Sequence, residues 1–356
     1  MPTQDSKTLW AGEKSLKAFI AAAFRRVGLP DTDADAVATL MAEADMQGSD
    51  GHGIIRLPQY VQRIEAGGIN VRPDIRVVHE RAAMAVVDGD NGMGHLVVSR
   101  AVQIAIEKAR SAGVAWVGTR HSNHAGPASL YARMPLAHDM IGLYFAVGNA
   151  NHLPPWGGME MLLSTNPIAA GIPGREGPAV VVDMATTGGA YRNVKANAKK
   201  GESMPEGWMI DRQGRPLTDP TKAGEGFLLP IGGHKGYGLA LIVGLLAGTL
   251  QGAAMGKEVV DFNADSQTPT NTGQAILVID LAAFGGAGPF KSAVDTLVRD
   301  IRDSERLPGV ERIWLPGEQS HGRRAAYAQS GAPLPAALVE DLDRLAARLD
   351  IAPLER

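Results

Sequence analysis

The chain has 356 residues, 45% of them apolar, which is enough for one large core or two smaller ones; 43 glycines against 5% aromatics suit an α/β protein with many tight turns. A formal charge of -3, from 35 basic and 38 acidic residues with no basic block, argues against nucleic acid as a partner. The absence of cysteine excludes disulfides, thiolate metal sites and a cysteine nucleophile.

The opening MPTQDSKTLWAGEKSLKAFI has no basic start followed by a long apolar run, so it does not read as a signal peptide. Leu16, Phe19, Ile20, Ala23, Phe24 and Val27 recur at helical spacing and predict a helix over 14–28. Gly28-Leu29-Pro30 stops it, and an acidic first turn opens a second helix that runs to about Asp45. YVQRIEAGG closes a third helix with glycines at its end. From there the pattern alternates. AMAVVDGDNGMG, VAWVGTRHSNHAG, MIGLYFAVGNA and AVVVDMATT read as strands with polar exits; HLVVSRAVQIAIEKARSAG and PASLYARMPLAHD read as helices between them. Residues 199–229, rich in Gly, Pro and charge, read as a long excursion.

GYGLALIVGLLAGTLQGAA, from Gly236, is nearly long enough to span a bilayer. Its internal glycines (238, 244, 248 and 252) and the lack of an aromatic belt favour a buried helix, so no membrane contact and a cytoplasmic location are expected. GQAILVIDLAAFG is a late strand and SAVDTLVRDIRDSER a helix; RIWLPGEQSHGRRAAYAQSGAPLP reads as a loop before the final helix AALVEDLDRLAARLD. The expected organisation is discontinuous: a helical segment over 1–75 packs with 305–356, and 76–304 form an α/β core.

Familiar motifs are missing. There is no G-x-G-x-x-G after the first strand, since DGDNGMGH has the wrong spacing; GGHKGYG is not a P-loop, and no G-x-S-x-G is present. Four polar groupings remain at strand ends and turns. In SDGHGIIRLPQYVQRI, His52 can give or take a proton near neutral pH, and Arg56, four residues on, can grip a carboxylate with two hydrogen bonds; a capping or surface pair is the plainer reading. In RHSNHAG, His121, Ser122, Asn123 and His124 could bind an anion, supply two zinc ligands or form a structural turn. Thr165, Asn166, Asp183, Thr186 and Thr187 gather hydroxyls, an amide and a carboxylate that suit a ribose, a carboxylate or ordinary turns. In PIGGHKGYGLAL, Lys235 follows glycines at a helix start and can reach a phosphate, or the glycines simply cap the helix.

Taken in order, SDGHGIIRLPQYVQRIEAGGIN, HSNHAGPASLYA, STNPIAAGIP, DMATT, GGHKGYGLALIVGLLAGTL and LPGE resemble the malate/L-lactate dehydrogenase family. This group includes sulfolactate and ureidoglycolate dehydrogenases, diketogulonate reductase and cyclic imino acid reductases. The resemblance runs from about residue 12 to residue 345. It implies a nicotinamide-binding fold that is not a Rossmann fold, with a mixed sheet core and helical N- and C-terminal segments packed together. It also implies hydride transfer between NAD or NADP and the 2-carbon of a small 2-oxo or 2-hydroxy acid, in a homodimer, with no metal. Carried over by position, His52 matches the proton donor/acceptor and Arg56 the carboxylate residue. His124, Ala125 and Gly126 match a loop lining nicotinamide and substrate, and Thr165 a substrate contact. Asp183, Met184, Ala185, Lys235, Pro316, Gly317 and Glu318 match cofactor-binding positions.

Two departures bear on the substrate. Gly51 stands where many members carry a serine before the histidine, and Asn193 where the imino acid reductases carry an aspartate, which favours a 2-oxo acid over a cyclic imine. Arg192 or His152 could supply the second polar contact that a malate-type substrate needs. A zinc hydrolase using His121 and His124, and a non-catalytic nucleotide-binding protein, complete the alternatives.

Overall fold

A computed structural model describes residues 8–355, the side chains of Arg192, Lys195 and Lys199 excepted. The first layer comprises β1 (Thr8–Ala11), α1 (Glu13–Arg26), α2 (Asp31–Met46) and α3 (Leu57–Glu65). α1 buries Leu16, Phe19, Ile20, Ala23 and Phe24, the stripe its spacing predicts, and carries Arg25 and Arg26 in the last turn, at the negative end of the helix dipole. α2 starts with Asp31 and Asp33 at its positive end and buries Val37, Ala38, Met41, Ala42 and Met46. A single 3-10 turn, Ile54–Arg56, joins it to α3, whose first turn holds Pro58.

The chain continues through β2 (Arg76–Arg81), β3 (Met84–Asp88), α4 (Gly94–Ala112), β4 (Val114–Ser122), α5 (Ser129–Arg133), β5 (Met140–Ala146), β6 (Ile168–Ile172) and β7 (Val180–Met184). Next come α6 (Tyr191–Lys200), β8 (Met209–Asp211), β9 (Gly226–Leu228), α7 (His234–Ala247), β10 (Thr272–Asp280) and α8 (Ala287–Asp303). The C-terminal segment holds α9 (Glu318–Ser330), β11 (Ala332–Pro335) and α10 (Ala336–Leu349).

Seven strands form one sheet in the order β2-β3-β4-β10-β5-β6-β7. Only β3 and β4 run parallel; the other neighbours are antiparallel. A doubly wound dinucleotide fold needs a mostly parallel sheet, so the missing glycine fingerprint and the topology agree. Val97, Val98, Ala101, Val102 and Ala105 of α4 pack on this sheet beside Val87, Val117, Ile276 and Val278.

The two ends of the chain share a core. β1 pairs antiparallel with β11, and Leu338, Val339, Leu342 and Leu345 of α10 join Leu16, Phe24 and Met41 in one cluster.

Three stretches differ from their sequence reading. The 199–229 excursion folds on a small core of its own, where Met204, Met209, Leu217 and Leu228 meet Val194 and Ala240. Residues 318–330 are the helix α9 rather than loop; it buries no residue, so it carries no apolar stripe to read. α7 is half-buried: Ala240, Val243, Gly244 and Ala247 face the core, while Leu239, Ile242 and Leu245 are exposed. Among the described residues no helix is long and apolar enough to cross a membrane.

Candidate active site

The segment between α2 and α3 turns back over the end of α2. A Cβ on Gly53 would lie 2.0 Å from Asp45 Oδ1, so the path is open only to glycine. The buried Asp45 carboxyl accepts from the Ile54 amide at 2.8 Å. Burial, with Asp50 nearby, pushes this carboxyl up to about 8, so the turn rests on a protonated acid at neutral pH.

His52 leaves this turn and stacks on His124, with ring centroids 5.3 Å apart and planes 12° from parallel. Its Nδ1 is 3.2 Å from His124 Nε2. The other His124 nitrogen, Nδ1, hydrogen-bonds with the Tyr60 hydroxyl from α3 and accepts from the Gly126 amide at 3.4 Å. Gly126 holds φ +78°, a left-handed value natural to glycine, and this bends the loop around the ring. His95, from the first turn of α4, stands edge-on to Tyr60 with centroids 5.6 Å apart, and neither of its buried ring nitrogens has a hydrogen-bond partner.

The corner is dry enough to keep these rings neutral. Burial, and then the neighbouring His52, lowers His95 to about 3. Burial holds His124 well below the ordinary histidine range, helped by His52, Arg56 and His95. Tyr60 is pushed up by burial and stays a phenol.

Arg56 closes the 3-10 turn. Its Nε donates to the Gly51 carbonyl at 3.0 Å, and Nη1 donates to Gln59 Oε1 at 2.7 Å and Asn263 Oδ1 at 3.1 Å. The Asn263 loop is pinned from below by the fully buried Arg63, which donates to the Asp265 carbonyl and, at 2.8 Å, to the Thr268 carbonyl. The Arg63 guanidinium also sits 4.5 Å over the Phe262 ring.

His52, Arg56, His124 and Thr165 line one cleft of about 510 Å³, together with His152 and Gln274. A longer cleft of about 680 Å³ meets it at His52, Gly126, Thr165 and Ala185, and continues past Asp183, Met184, Pro316 and Gly317. Ala125 lines the smaller cleft. The Asp183 carboxyl is open to the cleft yet ringed by protein. That shielding raises it, while the Ser129 amide, donating at 2.8 Å, and Arg133 oppose the rise. Arg133 Nη1 meets His321 Nε2 at 2.5 Å, and Arg323 lies exposed on the cleft rim.

Several sequence candidates stand elsewhere. Lys235 is exposed at the start of α7 and lines neither cleft. Glu318 turns from the long cleft to Arg302, at 2.9 Å, and Arg312, and accepts from the Leu315 amide, capping its own turn. Asn166 is a structural clamp, accepting from the Gly148 amide and donating to the Ala240 carbonyl at 2.8 Å. Thr186 donates to the Thr165 carbonyl, and the Thr187 hydroxyl is buried. Asn123 is tied to Asn91 and Gly92, and buried Ser122 donates to the Asn123 carbonyl. His121 turns to Asp88, 3.0 Å away, while His124 turns to His52, so the two are not brought together as zinc ligands. Asn193 lies in α6 and lines neither cleft; His152 stacks on Tyr191, and the Arg192 side chain lies outside the described residues. Tyr60, His95 and Asn263 were not singled out from sequence. Tyr60 does recur four residues after Arg56 on the same helix face, which is the one signal that could have found it.

A profile of the malate/L-lactate dehydrogenase family matches residues 12–343. Malate dehydrogenase of Pyrococcus horikoshii is 36% identical over 345 residues, 94% of each chain. The structure of sulfolactate dehydrogenase from Methanocaldococcus jannaschii superposes with a TM-score of 0.91 at 36% identity, over 96% of this chain and 98% of that one. The structure of delta1-piperideine-2-carboxylate reductase from Pseudomonas syringae pvar. tomato gives 0.84 at 31% identity, over 95% and 100%. With this fold and so complete a match, the chain belongs to the malate/L-lactate dehydrogenase family.

Proposed function

We propose that the protein is an NAD(P)-dependent dehydrogenase of small open-chain 2-hydroxy acids, malate- or lactate-like. The observation that carries this reading is the convergence of His52 and Arg56 on a small cleft that opens into a longer one. The long cleft suits a nicotinamide dinucleotide by size and by the cationic Arg133 and Arg323 on its walls. Asp183, Met184, Ala185, Pro316 and Gly317 would hold it. When bound, the cofactor supplies or accepts the hydride at the substrate's 2-carbon.

The chain's own groups do the rest. Arg56, already oriented by Gly51, Gln59 and Asn263, pairs with the substrate carboxylate and fixes which face of the carbonyl is presented. Thr165 and His124 line the same space. Protonated His52 donates to the new alkoxide, and in oxidation neutral His52 removes the hydroxyl proton. The exposed apolar face of α7, at Leu239, Ile242 and Leu245, supports a homodimer; Ile242→Asp should convert it to monomer in size-exclusion chromatography.

A screen at 340 nm with NADH and NADPH against pyruvate, oxaloacetate, 2-oxoglutarate and piperideine-2-carboxylate tests the substrate class. Turnover of an open-chain acid supports the proposal. Turnover of the cyclic imine alone overturns it in favour of an imine reductase, the reading that the likeness to the reductase structure supports.

A further inference from the structure

We propose that Arg133 is the phosphate contact of the longer cleft and that His321, from α9, is the positioning residue that aims it. The inference rests on the dinucleotide reading above. Arg133 ends α5, is half-buried and lines that cleft. Its Nη1 donates to His321 Nε2 at 2.5 Å, and among the described residues this is the guanidinium's only hydrogen bond. Its Nε is buried without a partner.

Two carboxylates are near enough to act on the Arg133 charge, and each has another partner. Glu43 of α2 accepts from Arg324 Nε at 2.9 Å, and Asp183 of β7 from the Ser129 amide at 2.8 Å. A part-buried arginine is ordinarily paired with a carboxylate, because taking its charge out of water is costly. Arg133 instead rests on a neutral acceptor. A guanidinium can only donate, so His321 Nε2 accepts and the one proton of the ring sits on Nδ1. Burial and then the Arg133 charge, opposed by Glu318, hold His321 below the ordinary histidine range, which keeps the ring neutral. A carboxylate in this place would aim Arg133 and cancel its charge; an imidazole aims it and leaves the charge for a ligand. The imidazole is presented from a fixed wall. Ser320 donates to the Gln47 carbonyl at 3.0 Å, and Arg324 ties α9 to Glu43 and, at 2.7 Å, to Glu13. A phosphate meeting Arg133 Nη2 gains a charge-assisted hydrogen bond and offsets the cost of burying the charge.

The test is calorimetric titration of the whole protein with NADH and with ADP, which shares its diphosphate. Arg133→Ala should bind both about 10–100-fold more weakly. Variants at His321 separate aim from charge. His321→Gln keeps a neutral acceptor and should stay within about threefold of the wild type. His321→Leu removes the acceptor and should weaken both ligands by roughly three- to tenfold. His321→Glu aims Arg133 but cancels its charge, so affinity should fall about tenfold while the melting temperature holds or rises. A residue serving structure alone would move affinity and melting together. A folded Arg133→Ala that binds NADH and ADP as tightly as the wild type overturns the proposal. So does His321→Glu with unchanged affinity, a variant that keeps Arg133 in place should Arg133→Ala fail to fold. So does His321→Gln that falls as far as His321→Leu. A wild type that binds NADH through Arg133 yet reduces no 2-oxo acid would refute the dehydrogenase reading and leave this one standing.

Discussion

The two joined clefts differ in what backs them. Around His52 the walls are aromatic and buried, the rings of His95 and His124 are neutral, and polar atoms meet in short fixed lines. Along the longer cleft the groups are charged: Asp183, Arg133 and, at the rim, Arg323. A dry corner strengthens each hydrogen bond and keeps proton positions defined, which suits a reaction step. A groove that sets charges of both signs along its walls suits holding a large polar molecule. Substitutions in the corner should therefore act on turnover, and those in the groove on binding.

His52→Ala carries the largest expected effect. Loss of a positioned acid/base should lower kcat by roughly 10²–10⁴ with cofactor binding intact, measured by steady-state assay and fluorescence titration. If cofactor affinity fell as steeply as kcat, the division between corner and groove would break. Arg56→Ala comes next: loss of a charge-assisted carboxylate clamp should cost about 10–100-fold in kcat/KM, and Arg56→Lys should recover only part of it, because an ammonium lacks the planar fork.

Asp45 sharpens the comparison through stability. Its carboxyl stands near 3.8 when unfolded and about 8 when folded, so the folded state holds the proton more tightly. The stability from that proton is complete below the unfolded value and is lost as pH rises through the interval up to about 8. Asp45→Asn cannot ionise. Thermal melts should show its stability gaining on the wild type as pH rises from 5 to 8.5, by an amount on the order of a few kcal/mol. A constant difference across that range would mean the carboxyl is not buried in the way described. The smallest effect belongs to the groove: Arg323→Ala should weaken binding of the reduced cofactor by about two- to fivefold, as read by fluorescence titration.

How much the sequence carried depends on whether the signal was local. The stripes of α1 and α2 repeat at helical spacing because each faces one continuous core, and they could be read directly. α9 could not, because it buries no residue and leaves no stripe. β6 was equally silent, since IAAGI has too little contrast between its faces to show a two-residue period. In the site, the His52 turn and Arg56 are close in sequence and declared themselves as a pair. Tyr60 sits on the buried face of α3 beside Leu57, Val61 and Ile64, where nothing in its own segment sets it apart from core residues. Its partner is 64 residues away, and only folding brings them together. Lys235 shows the converse: its glycine-rich setting suggested a phosphate contact, yet α7 carries it to the surface away from both clefts.

The most direct test of the central claim is parallel turnover of wild type and His52→Ala at 340 nm, with an open-chain 2-oxo acid and each reduced cofactor. The account predicts steady cofactor oxidation by the wild type, and a variant that binds the cofactor normally but turns over at no more than about a hundredth of the rate. A His52→Ala protein that reduces the same acid at the wild-type rate would contradict it.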